Sequence, residues 1–160
     1  EKLNLSEHFV GRDQPPKRIY GPTDIEGHRG RDNRYYMIDF ARLFPPEPRA
    51  KDEPPKRGRH LYALLRPELV HSHHTPLNSD AGTFFSRSQP DGAQSASEVE
   101  RATLRLYDVC IPRLGLWLSD QSRLQYAASD RSSAGMSCAA VCNEAHRRGI
   151  NCRHLGRVRS

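Results

Sequence analysis

The stretch Gly27-His28-Arg29-Gly30-Arg31-Asp32-Asn33-Arg34-Tyr35-Tyr36-Met37-Ile38-Asp39-Phe40-Ala41-Arg42-Leu43-Phe44-Pro45-Pro46 decides how this chain is read. Arg34 to Phe40 is rich in aromatic and β-branched residues and is bounded by turn formers, which is the composition of a strand. Asp32-Asn33 is a turn signal, and Gly27 to Gly30 suggests that the strand pairs back on residues around Thr23 to Glu26. A β-hairpin is the expected assembly.

Upstream, the first twenty residues hold a short amphipathic start and a Pro15-Pro16 break. Downstream, five of the twelve prolines fall between Pro45 and Pro55 among charged residues. Proline fixes φ and removes a donor, so residues 48–59 read as an exposed, extended loop. His60 to Leu65 is apolar, and Pro67 to Val70 opens a helical turn. Residues 71–97 read as a loop, or as two loops around a short helix. Ser97 with Glu100 forms a capping box, predicting a helix through Val99, Leu104, Leu106, Val109 and Cys110 up to Ile111-Pro112. A second or broken helix covers Leu114 to Leu118 and runs toward Tyr126. A third spans about Ser133 to Arg148 and stops at Gly149. The tail Ile150 to Val158 is a short strand or turn. A hairpin or small antiparallel sheet followed by several packed helices is an α+β arrangement.

The 160 residues carry 25 Lys plus Arg against 19 Asp plus Glu, a formal charge of +6, and 36% are hydrophobic. No apolar run approaches the ~20 residues that cross a bilayer, so no membrane insertion is expected. No signal peptide is visible, and a start at Glu1 reads as a fragment of a longer chain. The charge is concentrated: Arg147, Arg148, Arg153, Arg157 and Arg159 lie between His146 and Ser160 with no acid among them. Such a cluster attracts phosphate through counterion release, which makes RNA, DNA or an anionic surface candidate partners, and a solvated basic end is the plain alternative. Aromatic stacking platforms of the RNA-reading kind are not evident in that segment. Cys110, Cys138, Cys142 and Cys152 are read as reduced thiols of an intracellular protein.

Three constellations bear on chemistry. Cys138, Cys142 and His146 share one helix face, but the outer two stand about 12 Å apart along the axis, too far for one ion. His71, His73 and His74 form a His tract without a carboxylate at ligand spacing, which predicts adventitious metal binding only. Asp24, His28, Asp32 and Asp39 include an acid at a strand end, as in kinase-like enzymes. A phosphotransferase remnant with Asp39 as metal ligand is thus the alternative reading, although no phosphate loop, phosphate-holding Lys or base-plus-Asn pair accompanies it. Its structural counterpart is an Asp39 pairing with Arg34 or Arg42, or accepting turn N–H groups. No catalytic residue, cofactor or resident metal is assigned, and enzymatic activity is not expected.

The Gly27–Pro46 stretch resembles the central domain of the clustered-mitochondria family, which carries G-H-x-G-x-D-G-R-x-Y-x-x-D-x-x-R-x-x-P-P. The resemblance continues in Leu65-Arg66-Pro67-Glu68-Leu69-Val70. It returns in His146-Arg147-Arg148-Gly149-Ile150-Asn151-Cys152-Arg153-His154-Leu155-Gly156-Arg157-Val158, similar to L-H-x-x-G-I-N-x-R-Y-L-G-x-V. Asn33 stands where the family has Gly, His154 where it has Tyr, and Ala145 where it has Leu. The resemblance implies one central domain over residues 1–160, cut from a cytoplasmic multidomain protein. It also implies a binding or scaffold role in association with mRNAs for mitochondrial proteins, in their translation, and in the distribution of mitochondria. RNA, and ribosome-associated or other proteins, are the implied partners. Structural roles are expected for the motif positions Gly27, His28, Gly30, Asp32, Arg34, Tyr36, Asp39, Arg42, Pro45, Pro46, Arg66, Pro67, Glu68, His146, Gly149, Asn151, Arg153 and Gly156. Among these, Arg34 with Asp39 is a candidate strand-flanking ion pair. Arg66 and Glu68 are expected to tie their segment to the hairpin.

Overall fold

A computed structural model describes residues 3–11, 15, 17–49, 54, 56–86, 89–127 and 136–158. The chain divides into two compact units, Glu1–Thr103 and Leu104–Ser160. Small antiparallel sheets followed by helices make the fold α+β, as the sequence predicts.

Unit 1 opens with a hairpin that the sequence pattern does not announce. Strand β1 (His8–Val10) pairs antiparallel with β2 (Lys17–Ile19), with Phe9 opposite Arg18. Three-residue strands are too short to show alternation, which is why the segment reads as a bare amphipathic start. The expected second hairpin is present as β3 (Glu26–Arg29) and β4 (Tyr35–Ile38), with Gly27 opposite Met37. Its register differs from expectation. Gly27 to Arg29 belong to the strand rather than the turn, and the turn is made by Gly30 to Arg34. Gly30 N–H donates to Arg34 O at 2.8 Å, and Asn33 takes φ +62°, a left-handed geometry that Asn tolerates. All eight paired residues of β3 and β4 are exposed.

The apolar interior of unit 1 comes from Leu65, Leu69, Val70, Leu77, Val99 and Ala102, each at most 2% exposed. Helices α1 (Arg59–Tyr62) and α2 (Pro67–His71) are short, and Pro67 opens α2 where its missing N–H costs nothing. Pro45 and Pro46, both buried, flank a bridge between Pro46 and Leu64 in which Glu47 N–H donates to Ala63 O and Leu65 N–H to Pro45 O. Of the loop over 48–59, Arg49, Pro54, Lys56 and Arg57 are exposed, and residues 50–53 and 55 lie outside the described set.

Residues 78–83 depart most from expectation. Read as part of a polar loop, they are buried except for Gly82. Their polarity serves internal hydrogen bonds: Asp80 N–H donates to Asn78 Oδ1 (2.8 Å), Ser79 Oγ to Leu43 O (2.7 Å) and Thr83 Oγ1 to Asp80 O (2.6 Å). At their centre, the Asp80 carboxylate accepts from His8 Nε2 (3.1 Å), Thr23 N (2.9 Å), Thr23 Oγ1 and Arg42 Nη2 (2.9 Å). Arg42 also forks onto Asp24 at 2.8 and 2.6 Å and lies over the Phe85 ring. Burial alone would raise the Asp80 pKa, but the bonds from His8, Thr23 and Arg42 outweigh it and hold the acid below its ordinary value.

Helix α3 (Gly92–Arg105) begins five residues before the predicted cap, so Ser97 sits inside the helix. The chain already turns at Gln89 to Gly92, and Ser95 N–H donates to Asp91 O, so the helix is under way before Ser97 is reached. Gly92 has no room for a side chain, because an added Cβ would meet Ser86 O at 2.2 Å.

In unit 2, a π-helical turn (Leu106–Cys110) leads into α4 (Ile111–Ala127). The wider turn lies where the Pro112 ring would otherwise press on the carbonyl four residues earlier, which lets helix continue through a residue expected to end it. Leu106, Cys110 and Leu114, at i, i+4 and i+8, are buried on one face. Helix α5 is Cys138–Arg147, capped by Ser137, whose Oγ accepts from Ala140 N–H at 3.2 Å. The predicted start at Ser133 lies outside the described residues. The tail is a 3₁₀ helix, Cys152–Arg157, rather than a strand. Asn151 caps it by accepting from Arg153 N–H at 3.2 Å, and that cap diverts the chain from an extended path.

Candidate nucleic-acid interface

The carboxy-terminal arginines are positioned by the junction between α5 and the 3₁₀ helix. Gly149 has φ +74°, its N–H donates to His146 O at 2.8 Å, and Ile150 N–H donates to Ala145 O at 2.9 Å. These two bonds form a Schellman motif, closed by the fully buried pair Ala145 and Ile150. The stop at Gly149 falls where the sequence predicts it.

The five predicted phosphate-binding arginines separate into different environments. Arg147 is exposed and its Nη1 lies 3.1 Å from Glu144 Oε2. Arg148 donates to Glu144 Oε1 at 2.7 Å and lies 5.8 Å from the centre of the Trp117 ring. Glu144 lies just upstream of the acid-free segment, and the helix brings it back onto two of the five cations. Arg153 is exposed on the first turn of the 3₁₀ helix. Arg157 is exposed and its guanidinium lies 4.9 Å from the centre of the Tyr107 ring. Arg159 lies outside the described residues.

Tyr107 is the residue that sequence reasoning missed. It meets the buried His154 edge to face, with ring centres 5.6 Å apart and planes at 80°. Tyr107, Ile111, Pro112 and Arg157 line a cleft of about 300 Å³. An aromatic ring beside guanidinium groups is the pairing that holds a base by stacking and its phosphate by charge. Tyr107 is fifty residues away from Arg157, so spacing along the chain could not reveal it.

The other predicted constellations fare unevenly. Cys138, Cys142 and His146 do share α5, and Cys152 joins them from the next element, its Sγ 3.2 Å from His146 Nε2. All four cysteines are free thiols. The Cys142 pKa is raised first by hydrogen bonding to Cys152, and that of Cys110 by burial. The set of Asp24, His28, Asp32 and Asp39 does not converge on a site. Asp24 belongs to Arg42, which lowers its pKa, while His28 Nε2 pairs with Glu26 at 3.0 Å. Asp32 accepts from Tyr36 Oη at 2.6 Å, which lowers the acid's pKa and raises that of the phenol. Asp39 is exposed at φ +60° and belongs to no group of three potential metal ligands among the described residues.

Two expected pairings are corrected. Arg34 lies 3.9 Å from Asp32 rather than bonding Asp39, because the tight turn places Asp32 beside it. Arg42 turns inward to Asp24 and Asp80 instead of outward to Asp39. Arg66 and Glu68 bond each other at 2.9 and 2.6 Å. The His tract has a neighbour that spacing along the chain does not show. Folding brings Glu98 of α3 to His73 and His74, with one potential ligand atom of each residue within 4.8 Å of the others. His71 is not part of that group.

Comparison with known proteins places these features in context. A family model described as Clustered mitochondria matches residues 1–49, which include the Gly27–Pro46 block. A clustered mitochondria protein of Arabidopsis thaliana is 26% identical over 110 residues, covering 68% of this chain but 7% of the plant protein. No solved structure matches the chain. Both sequence comparisons bear out the resemblance carried by the motif blocks: the chain is similar to clustered-mitochondria proteins.

Proposed function

We propose that residues 1–160 act as a non-catalytic binding and scaffold module of a clustered-mitochondria-like protein, engaging single-stranded mRNA through the carboxy-terminal basic face. On this reading the parent protein works in the cytoplasm, on mRNAs for mitochondrial proteins and on mitochondrial distribution. The name of the plant relative supports the link to mitochondrial clustering. No described helix is long and apolar enough to cross a membrane.

The observation that carries the RNA reading is the placement of Arg157 over Tyr107, with Arg153 exposed on the same 3₁₀ helix. Arg147 and Arg148 share one carboxylate and contribute less, since part of their charge is already compensated. Arg157, over the Tyr107 ring, is therefore the leading phosphate-binding residue, with Arg153 exposed on the same 3₁₀ helix.

The test is fluorescence anisotropy with a short single-stranded RNA across a salt series. The variant Arg153→Ala/Arg157→Ala should weaken binding and flatten the salt slope by about 0.7 for each phosphate it no longer neutralises. Tyr107→Ala should cost about 1–3 kcal/mol of binding with the slope little changed, since stacking is not ionic. If wild type binds no RNA, or if the double arginine variant keeps both affinity and slope, the RNA reading fails. The phosphotransferase alternative has its own check, in which Mg²⁺–ATP stabilises the wild type thermally and Asp39→Ala removes that shift.

A further inference from the structure

We propose that His73, His74 and Glu98 form a binding site for a divalent first-row transition ion, with Zn²⁺ as the representative. The group joins two elements, the loop that follows α2 and the middle of α3, and all three potential ligand atoms lie within 4.8 Å of one another. Ligands around a tetrahedral Zn²⁺ at ~2.0–2.1 Å stand about 3.3 Å apart. A closure of at most about 1.5 Å therefore suffices, within the reach of side-chain torsions. Two imidazoles and one carboxylate suit zinc and its neighbours in the series, whereas Mg²⁺ and Ca²⁺ favour all-oxygen sets.

The surroundings hold this set in place. Asn4 Nδ2 donates to His73 O at 2.9 Å and to Val70 O at 2.8 Å, tying down the backbone that carries the histidines. Thr75 Oγ1 donates to Glu98 Oε2 at 2.9 Å, orienting the carboxylate as outer-shell donors orient metal ligands. His73 is buried, so one ligand is already desolvated, and the His73 and His74 ring centres are 4.5 Å apart. Arg101 also bonds the Glu98 carboxylate, at Oε1, but it is half exposed and can move away at little cost. Three protein ligands leave a fourth position for water, the arrangement of an open rather than a closed zinc site.

The test is a titration of the full chain with Zn²⁺ against a chromophoric chelator. It is carried out in a Cys142→Ser/Cys152→Ser background so that zinc held by thiolates is not counted. One equivalent should bind. His74→Ala and Glu98→Gln should each weaken binding at least about tenfold, while His71→Ala leaves it unchanged. Thermal melts without metal should be the same for all variants, and added Zn²⁺ should raise the midpoint only where all three ligands remain. Failure to bind one equivalent, or an unchanged affinity in Glu98→Gln, overturns the site. An equal loss in His71→Ala does so too, because it reduces the region to an unstructured His tract.

Discussion

Replacing Arg42 with Met is expected to lower the unfolding free energy of unit 1 by about 3–5 kcal/mol, the cost of stranding a buried charge. Both Arg42 and Asp80 are at most 2% exposed, so neither can recover its hydration when the other is removed. The methionine also lacks the fork that engages Asp24 and Asp80 together. A loss of that size is a large fraction of the ~5–15 kcal/mol that holds an ordinary domain folded. Urea unfolding followed by circular dichroism measures it. Arg42→Met/Asp80→Asn should be less destabilised than the sum of the single variants, since an amide at position 80 leaves no unpaired charge and can still accept from Thr23. Additive losses, or an Arg42→Met loss below about 1 kcal/mol, would show that the network is held by packing rather than by charge.

The same network makes stability depend on acid. Asp80 has a folded-state pKa below its unfolded value, so at low pH the unfolded chain binds the proton more readily. Its contribution is complete above the unfolded value of ~3.9 and is lost as pH falls through the folded one. Wild type should therefore lose stability steeply across that acid range. Asp80→Asn should start lower and lose less, and parallel curves for the two proteins would contradict the assignment.

How much of this is legible in the sequence follows from the range of the interactions. The β3–β4 hairpin is legible because turn formers and a β-rich run lie side by side. The stop at Gly149 is legible because a Schellman motif is local. Hidden from sequence are the pairings that only the tertiary fold makes. His8, Thr23, Arg42 and Asp80 span 72 residues, and each in isolation looks like an ordinary polar surface residue. The polar segment 78–83 reads as a loop for the same reason: hydrophilic composition signals exposure unless buried partners are known. In the basic face the charges are visible, but Glu144 and Tyr107, which decide how much of that charge is compensated and what lies beneath it, are not. The His tract reads as adventitious for want of a carboxylate that α3 supplies from 24 residues away.

In unit 2 the largest expected effect is at Ile150. Ile150→Ala should cost about 2–5 kcal/mol and Ile150→Val about 0.5–1.5 kcal/mol, because the side chain is fully buried and closes the Schellman motif against Ala145. The consequence reaches the basic face, since Ile150 and Asn151 set the direction in which the 3₁₀ helix leaves α5 and hence where Arg153 and Arg157 point. Stability and RNA affinity should therefore fall together in Ile150→Ala, whereas Arg153→Ala/Arg157→Ala should lose affinity at nearly unchanged stability, both positions being exposed. Thermal melts beside the anisotropy titrations separate the two effects. An Ile150→Ala protein that melts far lower yet binds RNA with wild-type affinity at a temperature where it stays folded would show that the arginines act as independent charges. The geometry built by the Gly149–Asn151 junction would then be structural alone, and the Arg157–Tyr107 pairing would carry no part of recognition.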